Sequence, residues 1–537
     1  MSPVSGYPHP LALRDAVSDR AADWLLQHLG RKANLCADSR RLVPGDGFLA
    51  RAGRRFSAEA HLEAAMDAGA GAILIDAGEI AEDLQEVAGR VPALRVPQLA
   101  HRMGMIASAF YGRPSMMLQI VAVTGTNGKS TVTAALGHAL ARSGIPSAVI
   151  GTLGLGIFPA FCSSEFQPVW DDQWTAGLTT PDAVDLQRIL RELKSREIAA
   201  VAIEASSIGI AQGRLQGCAI KAAAFTNLSH DHLDIHGTME RYAQAKALLF
   251  EAPSLGTMVI NTDDPYAALM WQATELHIDR IAIGGNWPSN ANGALKVGSA
   301  EPSLQGWHLV LEASGQARDL AGALALPVFG HYNIDNALIV AGCMLAMGLE
   351  PQSIRSRLAE FKLPAGRLQM LTGQGPWACV DYAHSPDALA RVLETLRPIA
   401  QARAGRLICV FGCGGDRDPS KRPIMGEIAA RLADHVVLTS DNPRRESPEA
   451  ILDAIVAGVS DTLRQKVQRQ SDRALAIAQA IANADGRDLI LIAGKGHEQT
   501  QTIDGETILF SDLDHALRAQ AVWKDTHGVC GARVANG

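Results

Sequence analysis

The chain has 537 residues, 47% of them hydrophobic and 20% charged, with 49 basic against 56 acidic side chains and a formal charge of -7. At roughly 150 residues per domain this length suggests about three domains, each able to bury its own core; plentiful aliphatic residues and Gly and Pro without a fixed period exclude a disordered or fibrous chain. The acidic balance excludes a broad basic face that wraps nucleic acid, but it leaves room for small anions held at local basic clusters.

At the N-terminus no basic start leads into an apolar core, so no signal peptide is read. The most apolar stretches, such as Leu338 to Leu349, are shorter than the roughly 18 residues of a membrane span. The cytoplasm is the expected compartment. Eight cysteines, with no CxxC and no Cys/His spacing, read as buried small hydrophobes in a reducing environment.

Along the chain, short apolar runs alternate with helical patterns. LQIVAVTG (Leu118 to Gly125) predicts a buried strand, and TVTAALGHALARSG (Thr131 to Gly144) predicts a helix stopped by Gly144 and Pro146. Gly156 to Gly177 reads as a long irregular loop bearing Trp and Phe. The same strand grammar recurs at Ala199 to Ser207, Met258 to Pro265, Arg406 to Asp416, His435 to Pro443 and Asp488 to Glu498, which implies parallel sheets covered on both faces. Composition breaks near Tyr111 to Met117 and near Phe361 to Gln369, where a helix is expected to end at Leu363, divide the chain into residues 1–115, 116–363 and 364–537.

GTNGKS (Gly125, Thr126, Asn127, Gly128, Lys129, Ser130) falls between a buried strand and a helix. Its two glycines let backbone N–H groups approach phosphate oxygens, Lys129 would meet the outer phosphates and Ser130 would ligate magnesium. A strict Walker A loop has Gly where this chain has Val123, so the motif is a shortened variant. Glu204, in IEASS, is expected at the carboxyl end of a neighbouring strand, where a carboxylate completes a magnesium shell. The cluster Asp231, His232, Asp234 and His236 has no zinc-type spacing and reads by itself as a polar turn. Lys246, between apolar neighbours in YAQAKALLF, reads by itself as a lysine that snorkels to solvent.

The ordered series GTNGKS, LTTP, EASS, TNLSHDHLDIHG, YAQAKALLF, GHYNIDN, PAGR, VDYAHSPDAL, FGCGGDRD, SDNPR and AGKGHE resembles the Mur ligase family, and ADSRRLVPGDGFLARAG (Ala37 to Gly53) resembles its small first domain. The resemblance implies an α/β fold of three domains: a small N-terminal α/β domain for the uridine nucleotide, a central P-loop-containing ATPase-like α/β domain with a parallel sheet, and a C-terminal Rossmann-like α/β domain for an incoming amino acid. It also implies a reaction, the ATP-dependent addition of meso-2,6-diaminopimelate to a UDP-N-acetylmuramoyl-dipeptide with Mg2+ as cofactor.

By position in those motifs, Gly125 to Ser130 with Asn336, Arg367 and Asp381 are expected to bind ATP. Lys129, Glu204, His232 and Lys246 are expected to be catalytic, and Ser130, Glu204, His232 and a carbamoylated Lys246 to ligate magnesium. Ser39, Gly53, Arg54, Thr179, Thr180, Ser206, Gln212 and Arg214 match positions that hold the UDP-muramoyl-dipeptide, and Arg417, Asp441, Asn442, Pro443, Arg444, Gly494 and Glu498 match those that hold diaminopimelate. Arg444 is the discriminating residue, because a second cation would repel the ammonium of a lysine substrate. Small molecules are the expected partners, with no nucleic acid and no membrane span, and the chain is expected to be a monomer. Competing readings are a lysine-adding ligase, a folylpolyglutamate synthase, or a nucleotide-dependent scaffold, which would not need the full metal set.

Overall fold

The computed structural model describes residues 8–50, 58–77, 89–164, 166–171, 173–175, 177–273 and 278–527. The chain forms two compact units. One runs to Phe361 apart from 302–307 and 327–333; the other takes those two segments and the chain from Lys362 onward.

The first unit carries two sheets. Strands β1 (Leu35–Cys36), β2 (Gly47–Ala50), β3 (Ala72–Asp76) and β4 (Ala93–Val96) pair in sequence order, all parallel. Helix Ala16–Leu29 covers one face with Ala21, Ala22 and Leu25 against Leu35, Leu49 and Leu74. The second sheet has ten strands: β5 (Gln119–Thr124), β6 (Ser147–Gly151), β7 (Gly154–Phe158), β8 (Ala200–Glu204), β9 (Ile220–Phe225), β10 (Thr257–Asn261), β11 (Asp279–Ile283), β12 (Gly293–Ser303), β13 (Gly306–Gly315) and β14 (Gly322–Leu326). Their order is β14-β13-β12-β11-β10-β9-β5-β8-β6-β7.

The centre of this sheet, β6, β8, β5, β9 and β10, is parallel. Its strands are continuous β-branched and Ala runs because both faces are covered: Ile120 to Val123 are at most 1% exposed. Helix Lys129–Arg142 follows β5, and Gly144 takes a left-handed φ of 87° just beyond its end. Helix Ala183–Ser195 starts at Asp182, whose carboxylate accepts from the N–H groups of Val184 and Asp185, and buries Leu186, Ile189, Leu190 and Leu193 at helical spacing in the core of the same sheet.

The second unit contains a sheet of order β15-β16-β20-β17-β18-β19, with β15 (Gln369–Leu371), β16 (Trp377–Asp381), β17 (Leu407–Phe411), β18 (His435–Leu438), β19 (Val467–Arg469) and β20 (Leu489–Ala493). All pairs are parallel except β15 with β16. Helix Pro386–Ala402, capped by Ser385, buries Leu389, Val392, Leu393 and Leu396. A hairpin of β21 (Thr500–Ile503) and β22 (Glu506–Leu509) follows.

Every strand expected from the apolar runs is present and stops short of the expected C-terminal end. Three readings are corrected. The helix expected to reach Leu363 ends at Ala359, because its last buried apolar residue is Leu358. The segment read as a loop from Gly156 begins as strand, since Gly156 to Phe158 pair with β6. Among the described residues Cys162, Cys218, Cys343, Cys379, Cys409 and Cys413 are buried free thiols, but Cys36 is only half-buried; Cys530 lies outside the described residues. No helix among the described residues is long and apolar enough to cross a membrane.

Candidate active site

In a parallel sheet, ligands collect where the strands end. At the end of β5 the chain enters GTNGKS with Gly125 at φ 150° and Gly128 at φ 86°. Both glycines are obligatory for space as well as backbone: a Cβ on Gly125 would stand 1.9 Å from Thr226 Oγ1, and one on Gly128 would stand 2.4 Å from Asn336 Oδ1. Asn336, buried on helix His331–Ala346, therefore supports the loop from beneath. Lys129 Nζ donates to the carbonyls of Gly125 and Thr126, each at 2.9 Å, which folds its ammonium over the loop. Asn127 N donates to Asn227 Oδ1. Ser130 is buried at the start of helix Lys129–Arg142. Thr124 Oγ1, at the end of β5, is a buried hydroxyl without a partner among the described residues.

Glu204 ends β8 as expected, paired in register with Val123 of β5. It is 1% exposed, yet among the described residues it has no cationic partner. Its carboxylate accepts from Thr152 N at 2.9 Å and Thr152 Oγ1 at 3.1 Å. Thr179, Thr180, Ser206, Gln212 and Arg214 assemble around it. Thr180 Oγ1 donates to the Glu204 carbonyl at 2.7 Å and lies 3.0 Å from Ser206 Oγ. Thr179 Oγ1 lies 3.1 Å from Thr152 Oγ1, and Arg214 donates to Thr180 O and to Gln212 Oε1.

Lys246, on helix Met239–Ala247, is 1% exposed and does not snorkel. Its Nζ donates to Gly125 O at 2.8 Å and lies over the Tyr242 ring at 4.6 Å. Burial, and then the nearby Lys129 charge, push its amine well below the ordinary lysine range. Tyr242 OH is 3.2 Å from Thr126 Oγ1, and His232 stands edge-on to the same ring at 6.1 Å. His232 is half-exposed at a left-handed φ of 52°, 3.5 Å from Asp231. Tyr242 thus joins loop, lysine and histidine.

On the first sheet, Ser39 opens the turn Ser39–Arg41, which Asp38 caps; Arg41 is tied to Asp185 at 2.6 Å. Gly53 and Arg54 lie outside the described residues.

In the second unit the loops after β16, β17, β18 and β20 converge. Asp381 ends β16 and accepts from Leu368 N and Ala383 N, each at 2.7 Å; burial raises its carboxyl, against the pull of Arg367. Arg367 lies over the Tyr382 ring at 4.8 Å, and Tyr382 also meets the His497 ring at 5.2 Å. Among the described residues Arg367 Nε and His497 Nδ1 are both buried without partners. Asn442 Nδ2 donates to Glu498 Oε2 at 2.9 Å. Arg444, at φ 55°, donates through Nη1 to Gly415 O, and a Cβ on Gly415 would strike Pro443 O at 1.9 Å. Arg417 follows Asp416 on the same glycine-rich loop, and Gly494 turns at φ 116° beside Asp441. The fully buried Arg473 pairs with Asp512 and donates to the carbonyls of Ser440 and Ala493, the residues just before Asp441 and Gly494.

The models of two domains match this chain, the Mur ligase middle domain over residues 123–344 and the Mur ligase, glutamate ligase domain over 366–496. A protein of Acidovorax sp. (strain JS42) named UDP-N-acetylmuramoyl-L-alanyl-D-glutamate--2,6-diaminopimelate ligase is 41% identical over 518 residues, covering 93% of this chain and 96% of its own. The chain belongs to the Mur ligase family. This Mur ligase is also 39% identical over 520 residues to the protein of the same name from Pseudomonas aeruginosa (strain PAO1), covering 96% of this chain and all of that one. A solved structure bearing that enzyme name superposes with a TM-score of 0.64 at 32% identity, over 92% of this chain and 95% of its own. The Mycobacterium tuberculosis folylpolyglutamate synthase complexed with ADP, at 18% identity and a TM-score of 0.56, covers 73% of this chain and 91% of its own and shares the fold alone. The architecture of this Mur ligase is the three-domain α/β arrangement.

Three residues escaped the sequence reading. Tyr242 carried a signal, since it lies one helical turn before Lys246 and so faces the same way. Thr152 followed from no motif and is placed only by the pairing of β6 with β8. Arg473, buried and charged, resembles any helix-start arginine until Asp512 is brought to it.

Proposed function

We propose that this chain is an ATP-dependent amide ligase that adds meso-2,6-diaminopimelate to UDP-N-acetylmuramoyl-L-alanyl-D-glutamate in peptidoglycan precursor synthesis. Residues 1–115 take the uridine nucleotide, 116–363 take ATP, and 364–537 take the amino acid. The reading rests above all on one convergence: the phosphate loop, the buried Glu204 and the buried Lys246 gather at the ends of adjacent parallel strands. The names of the relatives above agree with it.

The γ-carboxylate of the D-glutamyl residue attacks the γ-phosphate of ATP, giving ADP and an acyl phosphate. The amine of diaminopimelate then attacks the acyl carbon, phosphate leaves, and the amine proton is lost to solvent or a base. The loop N–H groups and Lys129 hold the phosphates, and Lys129 offsets charge that grows on the transferring group. Thr179, Thr180, Ser206, Gln212 and Arg214 present hydroxyl, amide and guanidinium groups to the peptide arm.

The donor set fits magnesium. Glu204 is a buried carboxylate that among the described residues has no cationic partner, a hard oxygen donor of the kind this ion takes beside phosphate oxygens. Ser130, Glu204, His232 and carbamoylated Lys246 would hold it, and it would neutralise phosphoryl oxygens when bound. Lys246 suits carbamoylation because burial favours the neutral, nucleophilic amine. The protein works as a cytoplasmic monomer.

The test is phosphate release from ATP with magnesium and the UDP-muramoyl-dipeptide, in the presence of diaminopimelate, lysine or ornithine. Release with diaminopimelate alone is expected. Release with lysine alone would overturn the substrate assignment, and no release with any of them would overturn the ligase.

A further inference from the structure

Lys495 stands in the middle of the groups assigned above to the amino acid, yet no motif position assigned it a role. It is 0% exposed, and its ammonium touches three side chains: Glu498 Oε2 at 2.7 Å, Asn442 Oδ1 at 3.1 Å and Asp441 Oδ1 at 3.8 Å. The second donor to Asn442 Oδ1 is Thr502 N at 3.0 Å. Two donors on that oxygen fix the orientation of the amide, so Nδ2 must face the carboxylates, where it donates to Glu498 Oε2 at 2.9 Å. Among the described residues both contacts on Glu498 fall on one oxygen and leave Oε1 for an incoming donor.

The charges are also unequal. Arg473 is engaged in a two-point pair with Asp512 and its charge also reaches Asp441, so two cations, Lys495 and Arg473, face three carboxylates, Asp441, Glu498 and Asp512. A cluster of oriented acceptors with one more carboxylate than cations is completed by a ligand ammonium. A lysine present only to neutralise buried charge would need no second donor to set the amide.

We propose that Lys495 is the positioning residue of the amino-acid pocket, holding Asp441, Asn442 and Glu498 so that they receive the distal ammonium of the substrate. This rests on the function proposed above. It makes Lys495 a determinant of the choice between diaminopimelate and an amino dicarboxylic acid that lacks the distal ammonium.

The experiment compares wild type with Lys495→Met and Lys495→Gln. It measures kcat and KM for diaminopimelate, ATP and the UDP-muramoyl-dipeptide, with 2-aminopimelate as the competing amino acid. In both variants the KM for diaminopimelate is expected to rise by ~10- to 100-fold and the preference over 2-aminopimelate to fall to about threefold or less, while the other two KM values stay within about twofold. Lys495→Gln keeps one donor and serves where Lys495→Met does not fold. A preserved preference, or a rise of all three KM values together, overturns the proposal, and loss of folding in both variants assigns the lysine to the fold and overturns it too. If wild type itself makes no use of diaminopimelate, the proposed function falls first and takes this inference with it.

Discussion

Nζ of Lys246 lies 2.8 Å from the carbonyl oxygen of Gly125, so a lysine 121 positions downstream is bonded to the first residue of the phosphate loop. The same carbonyl accepts from Lys129. Removing Lys246 therefore leaves no orphaned acceptor, and it relieves a buried amine. Lys246→Met is expected to melt no lower than wild type while activity falls by ~100-fold or more. Wild-type activity in carbonate-depleted buffer is expected to fall and to return with bicarbonate. Full activity in the variant, or indifference to bicarbonate, would remove the carbamate from the mechanism.

Glu204 depends on Thr152 for two hydrogen bonds, of which only the side-chain one can be deleted cleanly. Thr152→Val keeps the shape and the backbone donor. The expected result is a magnesium requirement raised ~10-fold with a stability loss of only about 1 kcal/mol, read by magnesium titration of activity and by thermal melting. An unchanged titration curve would mean that Glu204 does not meet the metal.

The features legible in the sequence were those written in neighbouring residues. A buried run ending in Gly and followed by an Ala-rich helix placed Gly125 to Ser130, and an apolar run ending in an acid placed Glu204. Lys246 was illegible from its own neighbours, for the opposite reason, and only the ordered motif series singled it out. Flanking Ala and Leu say only that a helix packs; they do not say that it packs over the end of β5 and closes off the route to solvent. Thr152 and Lys495 acquire meaning from strand pairing and loop convergence across long sequence separations. The β21–β22 hairpin did carry a local signal: Asp504-Gly505, both at positive φ, form the two-residue turn that favours such a pair.

Gly128→Ala is expected to damage nucleotide binding through geometry alone. The added Cβ meets Asn336 Oδ1 at 2.4 Å in a left-handed conformation. The strain is on the order of 1–3 kcal/mol. A KM for ATP raised ~10-fold or more, with the amino-acid KM unchanged, is the expected pattern. Pairing it with Asn336→Ala, which opens space, is expected to recover part of the loss. Without any recovery, the contact with Asn336 is not the cause.

His497 supplies a pH test. Burial first, and the Arg367 charge second, lower its pKa to about 4 from the ordinary 6.5. Between those values the unfolded chain holds a proton that the folded chain lacks, so stability falls as pH drops from 6.5 toward 4. The loss is on the order of 3 kcal/mol across that window. His497→Phe keeps a ring against Tyr382 and removes a nitrogen that has no partner. The variant is expected to match wild type at pH 7.5 and to lose less stability at pH 4.5, as followed by denaturant unfolding. Parallel acid limbs would place the titration elsewhere.

Arg444 bears on substrate choice most directly. Its backbone N donates to Thr502 O, which anchors the main chain, and its Nη1 donates to Gly415 O, which sets the guanidinium against the glycine-rich loop. A planar fork held that way can meet a carboxylate at two points, which a lysine ammonium cannot. Arg444→Ala is therefore expected to raise the KM for diaminopimelate by ~100-fold, and Arg444→Lys is expected to recover little of it. Lysine as substrate should be helped, because the repelling cation is gone; the ratio of kcat/KM for diaminopimelate over lysine is expected to fall by more than either value alone. Both variants keep an ordinary residue at the same left-handed φ, so the melting temperature should move little. If Arg444→Lys restored wild-type discrimination, charge alone would be the determinant and the two-point reading would fail. If Arg444→Ala left the ratio unchanged, the distal carboxylate would have to be read by Arg417 on the neighbouring loop.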